Sequence, residues 1–265
     1  SYALGIIFKD HPNELYAVRK DSPLIVGKTD GGNIIASDVP AVLRYTRDVY
    51  FIENEEIVKM TETSMEFYNV DEEIIEKDST HIEWDVNAAE KGGYEHFMLK
   101  EMYEQPKAIT DTFSPRLKDG KIVIEELGMS DEDILAIKKI MIVACGSAYH
   151  TGMTSKYVFE GLARIPVEVD LASEFRYRDP IIEEGTLLIV VSQSGETADT
   201  LAALREAKAK GARVLGIVNV VGSSIAREAD NVMYTWAGPE IAVATTKAYS
   251  AQLIALYLLA ICLLY

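Results

Sequence analysis

A run of five apolar residues at positions 187–191, three of them β-branched, predicts a buried strand. A turn rich in hydroxyl groups follows at residues 192–197, and a helix then runs to about Lys210. Gly211 provides a C-terminal stop for this helix. Its apolar face is formed by Leu201, Leu204 and Ala207. The turn therefore lies between the end of a strand and the beginning of a helix.

The same alternation of strands and helices continues from about Lys138 onwards, and it indicates a parallel α/β sheet. Strands are predicted there at residues 140–144, 167–169, 187–191, 214–218 and 232–235. The first part of the chain, residues 1–72, has a β-rich pattern with short connections. Its predicted strands are 3–8, 15–18, 24–26, 34–36, 49–52 and 57–60, broken by polar residues at 10–13, 30–33 and 53–55.

Residues 73–105 separate these two parts and have the sequence of a linker. They are acidic and polar, with few apolar residues, and the flexible point is expected at Lys91-Gly92-Gly93-Tyr94. A helix is predicted to begin near Tyr94 and to end before Pro106. The predicted organisation is thus residues 1–72, a linker at 73–105, and an α/β domain at 106–265.

The hydroxyl-rich turn has the chemistry of an anion site. Free backbone N–H groups and the positive end of the helix dipole meet at a helix N-terminus. Ser192, Gln193, Ser194 and Thr197 add neutral donors, and Gly195 lets the backbone approach a ligand. The turn contains no Lys or Arg. It is therefore expected to hold an anion such as a sugar phosphate through hydrogen bonds and dipoles.

The amino-acid sequence of this turn excludes two other motifs. A P-loop requires a Lys and a first Gly that are absent here, and Ser192 stands where a nucleophile elbow around Ser194 requires Gly. A purely structural alternative stays open, in which Ser194 only caps the following helix.

A second turn, Cys145-Gly146-Ser147, follows the predicted strand at 140–144. Ligands of open parallel sheets bind outside the carboxyl ends of the strands, so both turns can face one pocket. Cys145 lies near a predicted helix N-terminus, a position that would suit a nucleophilic thiol. No His is placed by sequence to activate it, and a small residue at the pocket floor is the favoured interpretation.

Composition narrows the classes of partner. The net charge of −16 argues against nucleic acid, whose phosphates require a basic surface. The only cysteines are Cys145 and Cys262, which favours a reducing, cytoplasmic compartment. His81 and His96 lack metal-ligand spacing. The apolar run at 253–265 is shorter than a membrane span needs, so a helix buried on all sides is predicted.

The residues of the hydroxyl-rich turn closely resemble the phosphosugar-binding motif of the SIS (sugar isomerase) domain. More narrowly, the chain is similar to the glutamine–fructose-6-phosphate aminotransferase (isomerising) family, also called glucosamine-6-phosphate synthases. The motifs that carry this resemblance occur in the family's order, which makes it specific. They are Ala36-Ser37-Asp38, Tyr103-Glu104-Gln105-Pro106, Ala144-Cys145-Gly146, Ala172-Ser173-Glu174-Phe175-Arg176-Tyr177-Arg178, residues 191–201 and Thr246-Lys247-Ala248.

The resemblance implies a fold and a domain order. The family has a glutaminase of the N-terminal-nucleophile class, a hinge and two SIS domains. This chain would hold the β-rich end of the glutaminase at 1–72, the hinge at 73–105, and a flavodoxin-like, three-layer first SIS domain at 106–265. It begins within a predicted strand, without an initiator Met, and ends in an apolar helix. We therefore expect it to be a portion of a longer protein.

The resemblance also implies an activity. The parent enzyme would convert fructose 6-phosphate and glutamine to glucosamine 6-phosphate and glutamate, with glutamine bound by the missing part of the glutaminase. The family's Cys nucleophile and the Lys and Glu that open the sugar ring would lie outside this chain. No catalytic residue, metal or cofactor is therefore expected here, and the chain alone is expected to be inactive. The family implies a homodimer. Neither nucleic acid nor a membrane is expected as a partner, because of the net charge and the short apolar run described above.

Nine substrate-binding residues follow from the match. Ser192, Gln193, Ser194 and Thr197 would hold the phosphate; Cys145, Gly146 and Ser147 would contact the sugar; Val243 and Thr245 would help to close the pocket. The family often has a second hydroxyl residue in the first turn, where this chain has Ala148. One hydrogen bond to the sugar is then lost or supplied by water.

Two other functions remain as alternatives. SIS domains also serve as non-catalytic sugar-phosphate sensors in transcription regulators, but these carry a basic helix-turn-helix where this chain is acidic and β-rich. A related deglycase or isomerase without a glutaminase is disfavoured by residues 1–72.

Overall fold

The structure is a computed structural model that describes residues 2–83 and 90–264. The chain divides into two compact units, Ser1–Glu90 and Lys91–Tyr265. Residues 84–89 of the predicted linker lie outside the described residues, and the limits given above for the linker stay a prediction.

The first unit consists of two antiparallel sheets, which confirms its predicted β-rich character. The order in one sheet is β1-β2-β6-β7-β8 and in the other β4-β3-β5-β9. A buried core joins Ala17 and Val26 with Val58 and Phe67. The elements are β1 (Tyr2–Phe8), β2 (His11–Lys20), β3 (Ile25–Thr29), β4 (Gly32–Ala36), α1 (Val39–Val42), β5 (Asp48–Phe51), β6 (Ile57–Met60), β7 (Met65–Tyr68), β8 (Ile74–Ile75) and β9 (Thr80–His81).

The predicted break at residues 10–13 is wrong at its end, because β2 already begins at His11 and includes Pro12. The reason is positional. β2 pairs with β6 only from Leu15 onwards, so its first residues extend beyond that neighbour. A proline has no N–H to donate and is tolerated where a strand lacks a partner on one side.

The second unit is built around five parallel strands in the order β13-β12-β14-β15-β16. The neighbouring strands β13-β12-β14, counted by their order along the chain, have the order 2-1-3 of a doubly wound sheet, which is the flavodoxin-like arrangement. The strands are β12 (Lys139–Ala144), β13 (Val167–Leu171), β14 (Thr186–Ser192), β15 (Arg213–Val218) and β16 (Asn231–Tyr234), and a separate hairpin pairs β10 (Leu117–Lys118) with β11 (Lys121–Ile122).

Helices cover both faces of this sheet, because successive side chains in a strand point to opposite sides. They are α2 (Phe97–Phe113), α3 (Asp131–Leu135), α4 (Gly146–Leu162), α5 (Ala172–Phe175), α6 (Ala198–Ala209), α7 (Ser224–Glu228) and α8 (Lys247–Cys262). Ile142 and Ile189 face the side covered by α4 and α8. Leu188 and Val190 face the side covered by α5, α6 and α7. The predicted three-layer α/β fold is confirmed.

The predicted helix over 94–105 is wrong at both ends, because α2 runs from Phe97 to Phe113 with Pro106 inside it. Pro106 cannot donate to the carbonyl of Met102. The side-chain amide of Gln105 donates to that oxygen instead, at 3.1 Å. A local substitute for the missing bond lets the helix continue through a residue that usually ends it.

Helix α8 is enclosed, as its apolar sequence predicts. It packs against α2 and α4, and every residue from Lys247 to Leu263 is buried or half-buried. None of the helices in the described part of the chain has the length and apolar character to cross a bilayer.

The core of the second unit provides a test of this packing. Phe159 of α4 is fully buried, whereas Tyr157 on the same helix is 70% exposed. Phe159→Ala should lower the free energy of unfolding by about 3–5 kcal/mol, because it leaves a cavity between helix and sheet. Tyr157→Ala should change it by less than about 0.5 kcal/mol. Urea unfolding followed by circular dichroism measures both, and similar losses in the two variants would contradict this account of the core.

Candidate functional site

The site lies where the strand order of the second unit reverses. β13 pairs with one edge of β12 and β14 with the other. Helix α4, which follows β12, packs on one face of the sheet, whereas α6, which follows β14, packs on the opposite face. The two connections leave adjacent strand ends in opposite directions. This opens a crevice at the carboxyl ends, the usual ligand position in such sheets.

The turn after β14 is shaped by its own hydroxyl groups. The Ser192 hydroxyl accepts a hydrogen bond from the Gly195 N–H at 3.0 Å, and it lies 3.0 Å from the Thr197 hydroxyl. The Ser194 hydroxyl accepts from the Glu196 N–H at 3.2 Å. These bonds curl the backbone into a tight loop immediately before α6.

The structure also answers whether Ser194 caps α6. The N-cap residue is Thr197, and no side chain makes a capping hydrogen bond there. The interpretation of Ser194 as a simple cap is therefore wrong. The first-turn N–H groups of α6 lack a side-chain cap, which leaves this helix end suited to an external acceptor.

Gly195 is required at its position for two reasons. Its φ of +67° lies in the left-handed region, which favours glycine. A Cβ there would lie 2.0 Å from the hydroxyl oxygen of Ser223, which is fully buried. The carbonyl of Gly195 also accepts from the Ile225 N–H at 3.0 Å. The turn after β14 is thereby packed against the beginning of α7.

Glu196 makes the second link to α7. Its two carboxylate oxygens accept from the N–H and the hydroxyl of Ser224, at 2.6 and 2.8 Å. The carboxylate of this turn is thus directed to α7 and occupied there.

The turn after β12 brings the second predicted group into place. Cys145 is the N-cap residue of α4, and Gly146 has a φ of +57°. The Thr200 hydroxyl of α6 donates to the Cys145 sulfur at 3.8 Å. His150 is exposed one turn further along α4. This arrangement supports the interpretation of Cys145 as part of the pocket floor.

All nine predicted residues line one cavity of about 310 Å³. The structure thus brings the two turns together with Val243 and Thr245, which precede α8. Val243 is fully exposed and stands at the cavity edge. Their contacts with a ligand stay a prediction. Five further residues complete the lining, namely Ala148, Val191, Glu240, Ala242 and Gln252.

Glu240 is the charged residue of the lining that sequence reasoning missed. Its carboxylate accepts from the Thr245 hydroxyl at 2.6 Å and from the N–H groups of Thr246 and Ala248 at 2.9 and 3.1 Å. It therefore caps the beginning of α8. Glu240 lies six residues before Thr246, the N-cap residue of α8, and therefore outside the positions at which a capping residue is recognised from sequence.

The charge of the cavity fits the sequence-based hypothesis of neutral donors. The fourteen residues of its lining include no Lys or Arg. The nearby guanidinium of Arg176 is paired with Asp199 in the first turn of α6, at 2.8 Å. An anion in the cavity would meet hydroxyl groups, an amide and backbone N–H groups.

The histidines considered as metal ligands lie elsewhere. His81 contacts Asp48 at 2.7 Å in the first unit, and His96 is the N-cap residue of α2. Within the described ranges, no three His, Cys, Asp or Glu side chains are grouped so that they could hold a metal ion.

Comparison with known proteins agrees with this geometry. The model of the family described as "SIS domain" matches residues 133–262, which include both turns and α8 up to its last residue. Residues 133–262 are a SIS domain. The resemblance stated from the sequence motifs is confirmed at this level.

The chain is also similar to longer enzymes over nearly its whole length. It is 64% identical over 260 residues to the glutamine–fructose-6-phosphate aminotransferase (isomerising) of Clostridium acetobutylicum and 61% identical over 262 residues to that of Caldanaerobacter subterraneus. Each match covers 98% of this chain and 43% of the relative. The chain thus spans less than half the length of the curated relatives it matches.

A solved structure supports the fold of the SIS domain. The C-terminal domain of glucosamine-fructose-6-phosphate aminotransferase from Francisella tularensis matches with a TM-score of 0.62 and 45% identity. This match covers 66% of the chain and 49% of that structure.

Replacement of Gly195 tests how tightly the turn after β14 is packed. Gly195→Ala should destabilise the protein by more than the roughly 1–2 kcal/mol of left-handed strain, because its Cβ also meets Ser223. Gly211→Ala is the matched control, since its φ is +87° but no atom lies within 4 Å of the added Cβ. Urea unfolding compares the two, and equal losses would show that Ser223 yields without cost.

Proposed function

We propose that this chain supplies the sugar-phosphate-binding half-site of a glutamine–fructose-6-phosphate aminotransferase. The complete enzyme would transfer the amide nitrogen of glutamine to fructose 6-phosphate and yield glucosamine 6-phosphate and glutamate. The observation that carries the proposal is the single cavity around all nine predicted residues, at the strand reversal of a SIS domain. The high identity to enzymes of that name supports the substrate.

Each of the two turns would bind a different part of the ligand. Ser192, Gln193, Ser194 and Thr197 supply neutral donors at the beginning of α6, where the helix dipole favours a phosphate dianion. Cys145, Gly146 and Ser147 lie across the crevice and would face the sugar carbons and hydroxyl groups. Ala148 carries no hydroxyl, so a water molecule would make the contact expected there from a second hydroxyl residue.

Chemistry at the sugar would require groups outside this chain. The cavity lining contains no Lys or His, and its one carboxylate, Glu240, is occupied by three donors. The half-site would therefore bind and orient the sugar phosphate, while ring opening, proton transfer and ammonia release take place on groups from the rest of the enzyme.

The proposal also includes the oligomeric state of the protein and its location in the cell. A homodimer is proposed from the family resemblance alone. A cytoplasmic location is proposed because hexose phosphates are cytoplasmic metabolites and both cysteines are unpaired.

Ligand binding gives the first test. Fructose 6-phosphate should bind the chain, and Ser194→Ala and Thr197→Ala should each weaken binding by roughly tenfold or more. Each removes a donor to a charged acceptor, which contributes about 1.5–3 kcal/mol. Cys145→Ser should have a much smaller effect if the thiol belongs to the pocket floor. Calorimetric titration measures the affinities.

Thr154→Ala is the matched control for this titration. Thr154 is exposed on α4 of the same unit and donates only to the backbone of His150. Equal affinity for fructose and fructose 6-phosphate would overturn the assignment of the phosphate to the Ser192–Thr197 turn. Wild-type affinity for fructose 6-phosphate in Ser194→Ala would also overturn this assignment.

Turnover distinguishes the enzyme from a sugar-phosphate sensor, because binding alone would fit both. A protein of the relatives' full length that contains this chain should form glucosamine 6-phosphate from fructose 6-phosphate and glutamine. Thr197→Ala in that protein should raise KM for fructose 6-phosphate by roughly tenfold, since about 1.4 kcal/mol of binding is lost. Tight binding without product would favour the sensor.

A further inference from the structure

The segment between β16 and α8, residues 235–246, is an irregular loop that forms one wall of the cavity. We call it the cavity loop. It contributes Glu240, Ala242, Val243 and Thr245 to the lining. Its first residue, Thr235, donates its N–H to the Val218 carbonyl at the end of β15, at 2.9 Å. The positions of the later residues depend on side chains that bond to their backbone.

The middle of the cavity loop is held by Glu101 of α2. One carboxylate oxygen, Oε1, accepts from the N–H groups of Ile241 and Ala242, at 2.7 and 3.1 Å. Glu101 is 2% exposed and is not part of the cavity lining. It therefore acts on the cavity from behind the loop, about 140 positions away in sequence.

The two ends of the cavity loop are fixed separately. At the start, the Asn219 amide accepts from the Ala237 N–H at 2.8 Å and donates to the Gly238 carbonyl at 2.7 Å. At the end, Glu240 caps α8. Glu101 thus accepts the hydrogen bonds from the central residues of the loop, which directly precede Val243.

Helix α2 is itself held against the beginning of α8, which fixes the position of Glu101. Glu104 accepts from the Lys247 ammonium at 2.7 Å, and Lys247 is 2% exposed. Gln105 accepts from the Ser250 hydroxyl at 2.6 Å. Residues spaced by three and four lie on one face of a helix, so Glu101 shares the face of Glu104 and Gln105. The motif around Glu104 and the motif around Lys247 thereby meet.

Burial of Glu101 is unfavourable in free energy, which indicates that the residue has a specific role. Its second oxygen, Oε2, is buried and has no hydrogen-bond partner among the described residues. A buried polar atom without a partner is destabilising, and an apolar residue would pack between these helices without that cost. The compensating contribution is the pair of bonds to the loop.

We propose that Glu101 is a positioning residue that holds the cavity loop in its ligand-binding arrangement, and that it governs affinity for the sugar part of the ligand. This rests on the proposed function, because the ligand is the sugar phosphate. The phosphate turn after β14 has its own bonds to α7 and does not depend on Glu101. Loss of Glu101 should therefore affect the sugar and spare the phosphate.

The test compares two ligands by calorimetric titration of the 265-residue chain. Fructose 6-phosphate probes the whole cavity, and inorganic phosphate probes the Ser192–Thr197 turn alone. Glu101→Ala should weaken fructose 6-phosphate at least tenfold and leave phosphate affinity within about twofold. Glu101→Gln keeps a carbonyl acceptor and should restore affinity to within about threefold of wild type. Asp111→Ala is the control, because Asp111 lies on the same helix and pairs only with exposed Lys107.

Hydrogen exchange of the unliganded variants adds a second readout. The amides of Ile241 and Ala242 should exchange faster in Glu101→Ala than in wild type, while amides of β14 stay protected. Wild-type affinity for fructose 6-phosphate in Glu101→Ala would overturn the proposal. Equal losses for phosphate and fructose 6-phosphate would also overturn it, because they indicate general destabilisation. Failure of the proposed function is distinct, since wild type itself would then bind no fructose 6-phosphate.

Discussion

The strand order of the second unit is the constraint on which the site depends. The next strand along the chain after β12 is β13, which pairs with one edge of β12, whereas β14 pairs with the other edge. The connecting helices α4 and α6 therefore leave the sheet on opposite faces. The carboxyl ends of two neighbouring strands are then uncovered. Residues about 50 positions apart in sequence come to face each other there, which is why two short turns can form one cavity.

The sequence predicts this arrangement because parallel strands buried on both faces must be apolar without interruption. The three central strands, β12, β14 and β15, could be located from such runs, whereas the edge strands β13 and β16 are shorter and only partly buried, and β13 alternates apolar and acidic residues. The turns that follow them are polar and rich in hydroxyl groups, so their residues could be selected before any geometry was known. The family resemblance added Val243 and Thr245, which no local pattern near the turns would have indicated.

Other features depend on contacts that a linear pattern does not contain. Pro106 lies within α2 because the neighbouring Gln105 amide satisfies the carbonyl of Met102. Strand β2 includes Pro12 because β6 ends before it. The bond from Glu101 to the cavity loop joins residues about 140 positions apart. Propensity describes each segment by itself, whereas these outcomes are decided by a particular neighbour.

The distribution of acceptors explains how a chain with a net charge of −16 can offer a site to an anion. Hydrogen bonds do not remove the charge of a carboxylate, but a carboxylate that accepts from the protein does not compete with a phosphate for the donors of the site. Around this cavity Glu196 accepts from Ser224, Glu240 from the beginning of α8, and one oxygen of Glu101 from the cavity loop. Each binds N–H groups that would otherwise lack a partner, and each fixes an element of the cavity wall. The N–H groups at the beginning of α6 receive no such side-chain acceptor. The acidic residues thus build the walls, while the one helix end beside the Ser192–Thr197 turn is left for the ligand.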